Sequence, residues 1–187
     1  MVERQVHGKR YEKMIAKILG LSKKDYESIS YTNSIDIPSY LNRKTKKNVS
    51  VKSTKSNTIC MANPLHVYDH SESNSYDLII FIYDIKGSLD VLYMGLKKSR
   101  EYLFGDVSKN DIHELTRMIK SVEHGRRQTP DERKLIQEKK NELNRKSGII
   151  KFNPKIDSKT QRRLQCSFNI NECLKSIDKR RVFLKTF

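Results

Sequence analysis

A chain of 187 residues with 38 Lys and Arg against 22 Asp and Glu is long enough for one domain with a real core, or for a core domain with a small appendage. Its formal charge of +16 exceeds what solubility asks of a small domain and directs it toward polyanions, nucleic acid first, because neutralising phosphates releases counterions. No apolar run approaches bilayer-spanning length and the N-terminus lacks a signal-peptide core, so no membrane partner is expected. Cys60, Cys166 and Cys173 are odd in number and not closely spaced, which fits small, partly buried side chains in a reduced setting. The expected location is intracellular and cytoplasmic, or inside the host cell for a protein encoded by a virus or phage.

The first predicted element is a helix over Lys9 to Leu19, with Tyr11, Met14, Ile15, Ile18 and Leu19 on one face and Gly20 as its stop. Ser34–Ser39 and Asn48–Ser53 then read as two short strands joined by a basic loop, Leu41 to Lys47. Such a hairpin brings Asp36 and Lys52 to a common point. A carboxylate that holds a divalent cation, beside a lysine that orients water, is a recurring arrangement for cutting phosphodiesters. Taken singly, each residue also has an ordinary reading: Asp36 as a turn starter, Lys52 as a surface cation, Glu12 as half of a local pair.

After Lys52 comes a polar run in which Ser53, Lys55 and Asn57 suit contacts to backbone phosphates, or a solvated loop. Pro64 to Ser75 reads as a connecting loop with room for short structure. His66 and His70, with Asp69 between and Cys60 upstream, have a spacing that suits zinc on a helix, but a second close ligand pair is missing. Tyr76–Ile85, a Lys86-Gly87-Ser88 turn and Leu89–Gly95 form a second hairpin. Its first strand is apolar on both faces and is placed centrally, under helices.

Ser108 to Asp111 resembles a helix cap, with Ile112, Leu115, Ile119 and Val122 on the following apolar face. Thr129-Pro130-Asp131-Glu132 starts a helix to about Lys146 with a narrow stripe of Leu135, Ile136 and Leu143. Arg126 and Arg127 precede it, and acids interleave with its cations, so part of that charge is ordinary pairing. The remainder, to Phe187, mixes strand-like pieces with a basic helix or tail. Its loop from Asn153 carries Lys155, Gln161, Arg162 and Arg163, side chains suited to reading base edges. The order of elements gives an α/β (α+β) fold, a mixed central sheet flanked by helices. Residues 1–107 form the expected catalytic core, and 108–187 a helical, basic DNA-recognition part packed on the same domain.

Gly8-x-x-x-Glu12 on the leading helix, Asp36 on a strand and a hairpin return ending in Val51-Lys52 resemble the PD-(D/E)xK nuclease superfamily, over about Val6 to Ile85. That superfamily includes most type II restriction enzymes, archaeal Holliday-junction resolvases and some homing endonucleases. The resemblance implies a restriction-endonuclease-like core in which Asp36 is the metal-binding acid, Lys52 the conserved lysine and Glu12 the helix-borne acid. It implies Mg²⁺ held by Asp36, with Glu12 and the Val51 carbonyl completing the set. One departure stands out: Ser50 occupies the position of the second acid, and Glu12, the Val51 carbonyl or Asp77 are the candidates to replace it. The implied activity is Mg²⁺-dependent hydrolysis of double-stranded DNA, sequence-specific and restriction-like, by a homodimer whose two sites cut both strands. The competing readings are a non-catalytic nucleic-acid-binding module and a structure-selective junction nuclease.

Overall fold

The computed structural model describes residues 3–30, 35–72, 76–83, 89–95, 100–156, 161–172 and 183–186, with side chains for 8–30, 35–72, 77–82, 100–156 and 161–172. Contacts divide the chain into two units: Met1–Ile59, Ser73–Lys97 and Leu174–Phe187 in one, Cys60–Glu72 and Lys98–Cys173 in the other. The units interleave along the sequence, where the sequence reading places a single cut after residue 107. Among the described residues no helix is long and apolar enough to cross a membrane.

In the first unit, Tyr11, Ile15 and Leu19 recur at helical spacing and are buried on α1 (Glu3–Ile18). Gly20, at φ 85°, ends it: the Gly20 and Leu21 amides return to the Lys17 and Ala16 carbonyls in a Schellman turn that needs a left-handed residue. Met14 and Ile18, expected on the apolar face, are 37% and 50% exposed. A short helix follows that the sequence reading lacks, α2 (Lys23–Glu27), started by a Ser22–Asp25 capping box.

β1 (Asn48–Thr54) runs parallel to β3 (Tyr76–Tyr83), which pairs antiparallel with β4 (Leu89–Gly95), and β4 pairs with β7 (Phe183–Thr186). β3 is therefore central, as its apolar run requires, and Leu78, Ile79, Ile80 and Phe81 are all buried. α1 lies over β1 and β3, its Tyr11 ring stacked on Phe81 at 4.4 Å and its Ile15 clustered with Val49, Val51 and Ile79. Sheet hydrogen bonds are indifferent to chain order, which is how a strand from the far C-terminus comes to share a sheet with the early strands.

Around β1 the expected hairpin is reduced. Ser34–Ser39 forms no strand among its described residues; a single antiparallel bridge joins Ile37 to Val49. The following Pro38 has no N–H to continue a ladder.

The second unit carries a three-stranded sheet in the order β2 (Thr58–Ala62), β6 (Arg163–Asn169), β5 (Ile150–Lys155). β5 is an edge, which is where Pro154 is tolerated. Residues 64–75, expected as a loop, contain a helix, α3 (Pro64–Glu72). Asn63 caps it by accepting the Leu65 amide at 3.0 Å, and Pro64, Val67, Tyr68 and Ser71 make its buried stripe. α4 (Arg100–Phe104) is a further short helix. α5 (Lys109–Ser121) and α6 (Pro130–Lys146) begin at the expected caps, with both halves of each capping box formed. Leu135 is 56% exposed, so the α6 stripe is Ile136 and Leu143 alone. Phe104 sits between Tyr68 and Phe152 in the core. The architecture is mixed α+β, sheets flanked by helices; of the stretch expected to hold a basic helix or tail, residues 173–182 and 187 lie outside the described residues.

Candidate active site

The loop between Asp36 and β1 looks too polar to order itself, yet buried Asn42 organises it. Its amide donates to the Thr45 hydroxyl at 2.6 Å and the Lys47 carbonyl at 2.8 Å, and its carbonyl accepts the Thr45 amide at 3.1 Å. Asn48 Oδ1 accepts the Ser39 amide at 2.8 Å, and the Ile37–Val49 bridge closes the other end. Asp36 is thereby fixed against the free edge of β1.

One oxygen of Asp36 collects three donors from that strand. Oδ2 accepts the Ser50 hydroxyl at 2.8 Å, the Val51 amide at 2.7 Å and the Lys52 ammonium at 3.1 Å. Among the described residues no donor reaches Oδ1. Strand alternation puts the Val51 carbonyl on the same edge as its amide, facing the Asp36 side rather than β3. Ser50, 1% exposed, thus contributes what an ionised acid in its place could not, a hydrogen-bond donor to Asp36.

Glu12 approaches from α1. Burial and then the charge of Asp36 raise its pKa, against the opposing influence of Tyr26, Lys52 and Lys9. Tyr26 donates its hydroxyl to Glu12 Oε2 at 3.2 Å, and burial together with the Glu12 and Asp36 charges pushes the phenol up to about 12. The carboxylates of Glu12 and Asp36 line a pocket of about 220 Å³ with Tyr26, Ile35, Lys9 and Lys13. Tyr26 is a site residue that the sequence reading misses; the Ser22–Asp25 capping box that sets its helix was the available signal.

Whether this set suits Mg²⁺ is a question about its donors. It offers two carboxylates, an unused Asp36 oxygen and an edge carbonyl, and Mg²⁺ is commonly held by one or two carboxylates with water and substrate phosphate filling its octahedron. The mutual repulsion of Glu12 and Asp36 marks the space beside them as favourable for a cation. The donors fit. Among the described residues no group of three or more His, Cys, Asp or Glu could hold a metal ion. Asp77 is not part of the set: it is buried and accepts Lys47 Nζ at 3.1 Å.

The expected DNA contacts divide. Ser53 lies on β1, and Lys55 and Asn57 are exposed in the bend after it. Arg126 is held in a fork by Glu132 at 2.8 and 2.6 Å, with Glu123 at 3.3 Å, so its charge is already matched. Arg162, expected to read bases, is 7% exposed and donates to the carbonyls of Val122, Glu123 and Arg126 at 3.1, 2.9 and 2.6 Å. It closes the open end of the chain after α5, a task its five donors suit. Arg127, Gln161 and Arg163 are exposed, and Lys155 lines a pocket of the second unit. His66 and His70 share α3; burial, then His66, lowers the His70 pKa, and Asp69 is bonded to Lys109 at 2.7 Å.

No family model matches the chain, no curated protein matches it, and no solved structure does.

Proposed function

We propose that the chain is a Mg²⁺-dependent DNA endonuclease with a restriction-endonuclease-like, PD-(D/E)xK-type core. The observation that carries the reading is the meeting of Glu12, Asp36 and Lys52 at the edge of β1, with one Asp36 oxygen fully engaged and the other open. Asp36 Oδ1, Glu12 and the Val51 carbonyl are the atoms that would hold the cation. When bound, Mg²⁺ supplies positive charge at the scissile phosphate and acidifies water. Ser50 and the Val51 amide keep the Asp36 carboxylate in one orientation, so its open oxygen needs no rearrangement to act. Lys52 offsets charge on a phosphate oxygen and orients water toward phosphorus. Tyr26 fixes the Glu12 carboxylate, and Lys9 and Lys13 draw the DNA backbone to the pocket. Double-stranded DNA is the proposed substrate, cut by a homodimer.

A second reading, a non-catalytic nucleic-acid-binding module, is favoured by the completeness of the Asp36–Ser50–Lys52 pairing, which leaves a self-neutralised cluster. Plasmid nicking with Mg²⁺ or with EDTA decides between them. Wild type nicks only with Mg²⁺, and Asp36→Ala and Lys52→Ala each lose at least about a hundredfold in rate. Equal nicking by wild type and both variants, or none by wild type, leaves the binding module.

A further inference from the structure

The loop that fixes Asp36 also displays a large aromatic side chain. Tyr40 is 77% exposed, further out than Leu135 at 56%, Ile18 at 50% or Met14 at 37%. Its neighbour Leu41 packs on the core cluster of Ile37 and Val49, so the loop turns its aliphatic residue inward and leaves the aromatic one in solvent. The turn that presents the ring is ordered. The Leu41 and Asn42 amides both donate to the Pro38 carbonyl at 3.1 Å, which makes Tyr40 the third residue of a tight turn. The Ser39 amide is tied to Asn48 on one side, and the buried Asn42 to Thr45 and Lys47 on the other. Lys46 holds φ 57°, a left-handed value that a residue other than glycine keeps only where its surroundings fix it.

Lys44 and Lys46 make no ion pair among the described residues, whereas Arg43 on the same loop pairs with Asp25 and Lys47 with Asp77. Tyr40 follows Asp36 by a stretch of chain no longer than about 14 Å, or about four base steps of a DNA strand. Cations beside an outward aromatic ring are the combination that binds single-stranded nucleic acid: the cations hold phosphates, and the ring stacks on whichever base it meets. In an intact duplex the base faces are covered by their neighbours and only the edges open into the grooves. The ring therefore finds a base face only where a base is unpaired. We infer that Tyr40 stacks on an unpaired base beside the cut, so that duplex DNA interrupted by a gap, flap or loop is the preferred substrate; the inference rests on the nuclease reading for the place of the cut.

The test uses the full chain, first in EDTA, so that it reads binding whether or not the protein cleaves DNA. A short labelled duplex, and the same duplex carrying a gap, are titrated by fluorescence anisotropy. The gapped DNA should bind about tenfold tighter, the scale of one base–aromatic stack. Tyr40→Ala should remove that preference and leave affinity for the intact duplex unchanged, and Tyr40→Phe, which keeps the ring, should retain it. 2-Aminopurine placed in the gap should lose fluorescence on binding wild type or Tyr40→Phe but not Tyr40→Ala, a signal that a merely structural role does not move. Lys44→Ala and Lys46→Ala should weaken both DNAs and each lower the salt slope by about one. Tyr40 stands in solvent, so its replacement leaves the core intact. Equal affinity for gapped and intact DNA, or a gap preference that survives Tyr40→Ala, overturns the inference. Equal weakening of both DNAs by Tyr40→Ala makes the ring a general duplex contact, and a change from dimer to monomer in sedimentation assigns it to contact between copies; either result also overturns it. With Mg²⁺, wild type should cut within about four nucleotides of the gap, and Tyr40→Ala should lose that placement. Absence of cleavage by wild type sinks the nuclease reading, and the EDTA comparison still decides whether Tyr40 stacks; loss of the gap preference leaves nicking by the Asp36 site untouched.

Discussion

Asp36 gathers its partners from sequence positions that are individually unremarkable: a serine, a backbone amide and a lysine on consecutive residues of one strand. Ser50 is the informative member. A second carboxylate at 1% exposure, within hydrogen-bond distance of Asp36, would meet like charge with little water to screen it. The hydroxyl avoids that conflict, and under the nuclease proposal Glu12 is the second acid. Elsewhere Glu132 shows how one side chain can serve two local structures. It accepts the Thr129 amide in the α6 capping box at 2.7 Å and grips Arg126 through both oxygens. The hydrogen bonds from Arg126 and then the Thr129 backbone pull its pKa down from 4.5 to about 2. For an acid whose folded pKa is depressed, the linked stability is complete above the unfolded pKa and disappears as pH falls through the folded one. Glu132→Gln should therefore lower the urea midpoint at pH 7, and the gap from wild type should close between about pH 4.5 and 2. A pH-independent gap would assign the effect to packing. The side chain keeps 29% of its surface exposed, and solvent screening keeps the expected shift small.

At the scale of elements, the helices announced by caps are where the sequence places them. Ser108 and Thr129 begin α5 and α6 because side-chain oxygens meet amides that the helix itself cannot satisfy. Asn63-Pro64 carries the same kind of signal for α3, but the stripe of Val67, Tyr68 and Ser71 is short and half polar, so periodicity alone does not mark the helix. Short helices such as α2 and α4 offer too few residues for a periodic pattern to rise above chance. Arg162 ties the start of β6 to the chain leaving α5, and its loss would leave three backbone carbonyls without its donors, that of Val122 in a buried setting. Arg162→Ala should destabilise the protein by about 3 kcal/mol in urea unfolding, and lysine, a single-point donor, should recover little of it. A loss under about 0.5 kcal/mol, the scale of ordinary surface changes, would return Arg162 to the candidates for DNA contact.

For the whole molecule, the charge of +16 is the property that every nucleic-acid reading shares. Binding to duplex DNA in EDTA should weaken by at least about a hundredfold between roughly 50 and 200 mM salt, as expected for several phosphate contacts. Affinity flat across that range would show that the excess charge does not face DNA. Composition also established a chain with a core, a mixed α+β order, a central apolar strand and two capped helices, because each depends on spacing, local sterics or residue type. The resemblance to the PD-(D/E)xK pattern is what put Asp36, Lys52 and Glu12 forward as an ordered trio. Which side chains are spent on one another was settled only in three dimensions. Arg162 turns inward, Arg126 is neutralised by Glu132, and Asp77 pairs with Lys47, while Arg133, Lys140 and Lys155 make no ion pair among the described residues. Local propensity acts over a few residues and can be read along the chain, whereas charge pairing and burial act through space between residues that the sequence keeps far apart.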